Sequence, residues 1–237
     1  MRPPSPPQRG STEPRRVAED PPAIEAGALA SGSVTIDGIQ IDYVAIAPEG
    51  FEVGDEAPVL FALPPGGQTL SLTTSFASDT YLVEALARGW VVVSPAAPNG
   101  DLLFRGSEAL VPGLLDWIET WVAPEDGRFH ISGVSNGSIS SFRIAGSQPE
   151  RFASVTVYPG FASSEDDQAA LAGLVDIPIR LYVGSLDTSW VAPAESVAAT
   201  LESLGGDVVL DIRDGEGHIM TSLSDGQDIF NGLNSFR

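Results

Sequence analysis

The chain has 237 residues, 43% of them hydrophobic and 8% aromatic, and a formal net charge of −20. That length suits one substantial core, and no run approaches the roughly 20 apolar residues that crossing a bilayer requires. All 12 basic residues are Arg and there is no Cys, which excludes a P-loop lysine, a Schiff-base amine, a Ser-Lys dyad, a thiol nucleophile and a thiolate metal site, while the acidity opposes binding to nucleic acid or anionic membrane surfaces.

Serine, carboxylate and histidine chemistry remain, with no cofactor or metal implied. Residues 1–30 are rich in Pro and polar side chains and carry Arg2, Arg9, Arg15 and Arg16, a composition that predicts a disordered tail ahead of one domain over 31–237. The tail lacks the apolar stretch of a secretory signal, which leaves the compartment open between cytoplasmic and secreted after processing.

Order is expected from about Ser33, where SVTI and IQIDYVAIA flank Asp37-Gly38, a pair that suits a two-residue hairpin turn. Short apolar runs follow: VLFAL (59–63), WVVVS (90–94), FHIS (129–132), SVTVY (154–158), IRLYV (179–183) and VVLDI (208–212). Helical patterns lie between or after them, at 75–88, 109–121, 137–147, 193–204 and 222–233. Such alternation predicts an α/β fold with a mostly parallel, doubly wound sheet behind an N-terminal antiparallel hairpin.

Directly after FHIS stands Gly133-Val134-Ser135-Asn136-Gly137, a G-x-S-x-G pattern between a strand and a helix. A serine at the apex of so tight a turn is lifted clear of the carboxyl edge of the sheet, with the helix N-terminus aimed at it. The hydroxyl needs a base, and the two histidines differ in context. His130 lies inside the strand and reads as core, whereas His218 stands in the loop after VVLDI, at the carboxyl edge. The carboxylate that orients the imidazole is expected just beyond a strand too. Asp187, following IRLYV, fits better than Asp211 or Asp214, which are too near His218 in sequence to reach its far ring nitrogen. Oxyanion donors are expected from the N–H of Asn136 and from the loop Pro64-Pro65-Gly66-Gly67-Gln68, with Gly67 and Gln68 as the candidates.

The stretch GVSNGSISSFRIAGSQPERFASVTVYPG resembles the nucleophile region of the polyhydroxybutyrate depolymerase, feruloyl esterase and dienelactone hydrolase branch of the α/β-hydrolases. The likeness runs more loosely from Val59 to His218 through WVVVSPAAPNG, the G-x-x-D of Gly184 to Asp187 and the G-x-G-H of Gly215 to His218. It departs at Pro64-Pro65-Gly66, where that family commonly has His-Gly, and at Ser138, where it has Gly. The resemblance implies an α/β-hydrolase fold and a carboxylic ester hydrolase working through an acyl-enzyme, on a small-molecule or polymeric ester. The same three residues would serve a thioesterase, a peptidase or an acyltransferase, and a catalytically silent binding scaffold is a further alternative. Only 52 positions separate Ser135 from Asp187, too few for a lid domain. The uncapped site suits bulky, aryl or polyester-like substrates, with Trp190 and Phe161 as candidate walls beside Tyr158.

Overall fold

The computed structural model describes residues 22–237. For residues 1–21 the expected tail lies outside the described residues. Residues 22–30, by contrast, belong to the domain. The Ala23 N–H donates to the Tyr43 hydroxyl at 2.8 Å, and β1 (Ala28–Ile36) already begins at Ala28 rather than near Ser33. Its first half, ALASG, carries no β-branched residue and is held by its register against β2 (Ile39–Ala47), with Ala28 opposite Ala47. The hairpin turn is the predicted one, since Asp37 and Gly38 both have positive φ, 50° and 80°.

Eight strands form one sheet in the order β1-β2-β5-β4-β7-β8-β9-β10, where β4 is Val59–Leu63, β5 Val91–Pro95, β7 Phe129–Gly133, β8 Phe152–Val157, β9 Ile179–Gly184 and β10 Val208–Arg213. A separate pair, β3 (Glu56–Ala57) and β6 (Ala123–Pro124), makes a two-stranded ribbon. In the main sheet β1 and β2 run antiparallel to their neighbours and the other strands are mutually parallel. All six apolar runs are strands of this sheet, displaced by at most a residue or two at their ends.

Because alternate residues of a strand face opposite sides, β4 divides its side chains between two cores. Val59, Phe61 and Leu63 join a cluster with Trp117, Trp121, Phe129 and Phe142. Leu60 and Ala62 join another with Tyr81, Trp90, Tyr158 and Phe230. Burial on both faces explains why these strands read as continuous apolar runs.

Helices α1 (Leu70–Phe76) and α2 (Leu82–Arg88) are joined by a π-helical turn over Ala77–Tyr81, so the expected helix at 75–88 starts earlier and carries an inserted bulge. Helix α3 (Val111–Ile118) buries Trp117, and Trp121 beyond it is buried as well. Next come α4 (Asn136–Ser147), α5 (Glu165–Ala170) and α6 (Thr188–Ser203). The last begins directly after Asp187 and contains Pro193, where the sequence pattern places its start. Pro193 leaves only the Ser189 carbonyl of this exposed first turn without its helical donor. The 222–233 segment divides at Gly226 into a single 3₁₀ turn, Thr221–Leu223, and α7 (Gln227–Asn234). Only a short loop, α5 and one 3₁₀ turn lie between β8 and β9, so no lid domain is inserted there. Among the described residues no helix is long and apolar enough to cross a membrane.

His130 sits in the core, with its Nδ1 2.7 Å from Ser154 Oγ and its ring 4.9 Å from that of Trp90. Burial, reinforced by the charge of Arg237, lowers its pKa to about 4. An unfolded chain takes up this proton near pH 6.5, so the stability that the neutral ring contributes is complete above that pH and is lost as pH falls toward 4. Urea unfolding at pH 7 and pH 5 should show His130→Gln losing less stability between the two than the parent, by roughly 2 kcal/mol. Equal losses would mean that His130 takes up its proton in the fold as it does in the unfolded chain.

Candidate active site

The chain turns from β7 into α4 with no room for side chains on either flank of the turn. A Cβ on Gly133 would lie 2.3 Å from the Gly137 carbonyl oxygen, and one on Gly137 only 2.1 Å from the Leu63 carbonyl oxygen of β4. Any side chain at either position would push helix and sheet apart. Ser135 between them has φ 54° and ψ −115°, a sparsely populated conformation that costs on the order of 1–3 kcal/mol. The surroundings hold it there, with the Ser135 N–H donating to the Pro159 carbonyl at 3.1 Å and the Ser138 hydroxyl to the Gly133 carbonyl at 2.7 Å. Ser138, where the resembling family has Gly, thus ties the helix back to the end of β7.

Ser135 Oγ lies 2.9 Å from His218 Nε2, and His218 Nδ1 lies 2.6 Å from Asp187 Oδ2. The three residues proposed from sequence therefore form one continuous hydrogen-bonded chain. Asp187 is 9% exposed, and its other carboxylate oxygen accepts from the Ser189 hydroxyl at 3.3 Å. With a carboxylate on Nδ1, that nitrogen carries the proton and the Nε2 lone pair faces the serine. The rival carboxylates are engaged elsewhere, Asp211 by Arg213 at 2.9 Å and Asp214 by the Ser185 hydroxyl at 3.5 Å.

The histidine loop is packed against the end of β9. A Cβ on Gly184 would come within 2.3 Å of the carbonyl oxygens of both Glu216 and Gly217. Leu186 N–H donates to the Glu216 carbonyl at 2.8 Å and Gly215 N–H to Ser185 Oγ at 2.9 Å. The Glu216 carboxylate in turn accepts from the Ser222 N–H and hydroxyl at 3.1 and 3.2 Å. These bonds fix the loop on either side of His218.

The oxyanion loop corrects the sequence reading. Gln68 is not available as a donor to substrate. Its N–H is bonded to the Pro65 carbonyl at 3.1 Å, and its carbonyl accepts from Ala97 at 2.7 Å. The side chain is fully buried, with Nε2 donating to Ser140 Oγ at 3.1 Å and Oε1 accepting from the Leu103 N–H at 2.8 Å. Gln68 is a strut that joins three segments. Among the described residues neither Gly66 nor Gly67 has a backbone acceptor for its N–H, and of the two Gly66 borders the cavity beside Ser135. Asn136, the first residue of α4, has no intrahelical acceptor for its N–H. Its side chain donates to the Gly66 carbonyl at 2.8 Å, locking that loop to the serine turn.

A cavity of about 420 Å³ opens at Ser135 and His218 and is lined by Gly66, Phe76, Tyr158, Met220 and Leu223, among others. Trp190 and Phe161 are not in its wall. They pack together with ring centroids 4.8 Å apart, Trp190 rests on the His218 ring at 4.9 Å, and both adjoin the core on the other face of the sheet. Sequence reasoning missed Phe76, Met220 and Leu223. The last two lie just past His218, but nothing in their spacing distinguishes a cavity wall from ordinary core. Among the described residues no group of three or more His, Asp and Glu side chains is placed to hold a metal ion.

No protein-family model matches the sequence, and no curated protein matches it. Solved structures do. An S-formylglutathione hydrolase from Agrobacterium tumefaciens is 14% identical with a TM-score of 0.68, the match covering 88% of this chain and 94% of that one. A ferulic acid esterase is 15% identical with a TM-score of 0.66, over 88% of this chain and 96% of that one. A thermostable esterase is 16% identical with a TM-score of 0.65, over 87% of this chain but only 60% of its own length. With the strand order above, these likenesses identify the architecture as the α/β-hydrolase fold.

The contact at Gly184 yields a test of how the loop is set. Gly184→Ala should displace the histidine loop and lower kcat toward an activated ester about 100-fold, the usual cost of a misplacement near 1 Å, with an unchanged far-ultraviolet circular dichroism spectrum. Full activity in the folded variant would show that the loop yields without moving His218.

Proposed function

We propose that the protein is a serine hydrolase that cleaves carboxylic esters through an acyl-enzyme. The observation that carries this reading is the unbroken chain from Ser135 through His218 to Asp187 at the carboxyl edge of the sheet, with the serine held in a strained turn. An ester hydrolase is favoured by the resemblance in the serine region and by the esterases among the structural neighbours.

In the first step Ser135 Oγ forms a bond to the ester carbonyl carbon while His218 Nε2 takes the hydroxyl proton. The resulting oxyanion is met by the N–H groups of Asn136 and Gly66, and such a donor is worth about 3 to 4 kcal/mol in the transition state. The carbon–oxygen bond to the alcohol then breaks, and His218 returns the proton to the departing oxygen. Water attacks the acyl-enzyme in the same manner, giving a proton to His218. The bond to Ser135 breaks, the serine recovers its proton, and the acid is released. Asp187 holds the imidazole in the required tautomer and stabilises the imidazolium.

Ser135→Ala should abolish both fluorophosphonate labelling and hydrolysis of p-nitrophenyl butyrate, with kcat falling by about 10⁶, and Asp187→Asn should lower kcat by about 10⁴. Turnover retained in folded Ser135→Ala would refute the assignment. Matched thioester and anilide substrates separate the ester reading from thioesterase and peptidase readings, and faster turnover of either would displace it.

A further inference from the structure

The cavity beside Ser135 has a closed end and an open end. Thr80, Tyr158, Met220 and Leu223 are buried, whereas Gly66, His218, Ile219 and Ser224 at the mouth are exposed. Tyr158 presents its ring, because its hydroxyl is hydrogen-bonded to that of Tyr81. Burial pushes Tyr81 up to about 12 and Tyr158 well above its ordinary range, so both phenols are neutral. Among the described residues no Arg, Asp or Glu lines the cavity. Arg88, Arg143, Arg151, Arg213 and Arg237 are instead paired with carboxylates elsewhere, and the net charge of −20 repels an anion at long range. A substrate arm carrying a carboxylate or phosphate would be desolvated there without a partner.

Size narrows the class further. At about 30 Å³ for a water-sized group, 420 Å³ holds on the order of 14 such groups, shared between the ester group at Ser135 and an acyl chain of limited length. The closed end suits the part of the ester that stays attached to the serine between the two steps, since the alcohol must leave through the open side before water enters.

We propose that the natural substrate is an uncharged ester whose aliphatic acyl chain, about six to ten carbons long, lies between Phe76, Tyr158, Met220 and Leu223. The proposal rests on the serine-hydrolase reading of Ser135. It narrows the bulky or polymeric substrates considered from sequence to a medium-length acyl group.

The test compares two series on the purified full chain: p-nitrophenyl esters with acyl groups from two to fourteen carbons, and acetates of alkyl alcohols over the same range. In the acyl series kcat/KM should rise about fourfold per methylene to an optimum near eight carbons and then fall, while the alcohol series stays within about threefold. The p-nitrophenyl hemisuccinate should react at least about 100-fold more slowly than the pentanoate of matching length. Leu223→Trp, which fills the closed end, should move the optimum toward shorter acyl groups. A flat acyl series, a rise in the alcohol series, a preference for the hemisuccinate, or an unmoved optimum in folded Leu223→Trp would each overturn the acyl-pocket assignment with the serine chemistry intact. The two parent series decide the matter without the variant. Absence of both turnover and fluorophosphonate labelling in folded protein would overturn the serine-hydrolase reading instead.

Discussion

The site depends on the approach of α4 to the ends of β4 and β7, where the Leu63 carbonyl stands so close to Gly137 that no side chain fits between them. Close contact puts the first turn of α4 over the sheet edge and forces Ser135 into its unusual backbone conformation. Its N–H then turns to the Pro159 carbonyl. The same approach brings Asn136 within reach of the Gly66 carbonyl, so that the serine turn and the Gly66 loop are positioned by one packing event. A helix set back by even one methyl group would lose the serine geometry and the Asn136 contact to Gly66 together.

The second constraint is the parallel one at Gly184, which lets two carbonyls of the histidine loop rest on the end of β9. Asp187 and His218 are separated by a helix and a strand in sequence, yet the loops that carry them are bonded to each other through Leu186, Ser185 and Glu216. His218 is placed by backbone contacts of its loop as well as by its side-chain environment, in which Trp190, Asp187 and Ser135 meet the ring. This explains how a histidine that is 41% exposed at its side chain remains aligned.

What could be read from sequence followed from how local the signal was. Strands buried on both faces announce themselves as apolar runs, and VLFAL coincides with β4. Gly133, Ser135 and Gly137 are legible because steric crowding leaves few alternatives. The same crowding at Gly184 gives the G-x-x-D pattern its meaning. The oxyanion register was not legible, because whether Gln68 faces substrate or core depends on a turn bond to Pro65 and on partners at Ser140 and Leu103. The cavity wall was hidden for the same reason: Phe76, Met220 and Leu223 come from separate segments that only the fold assembles. Trp190 and Phe161, expected as substrate walls, pack by His218 on the face away from the cavity, a difference that only the sheet's two faces decide. The early start of β1 escaped notice since Ala and Gly pair as a strand only through the register that β2 imposes.

At position 135 the backbone conformation is one that glycine alone adopts without penalty, so the residue best for the fold is not the one best for the chemistry. Ser135→Gly would relieve that strain in a single substitution. Conformational energy therefore acts against a serine at this position, and the fold by itself gives no reason to keep one there.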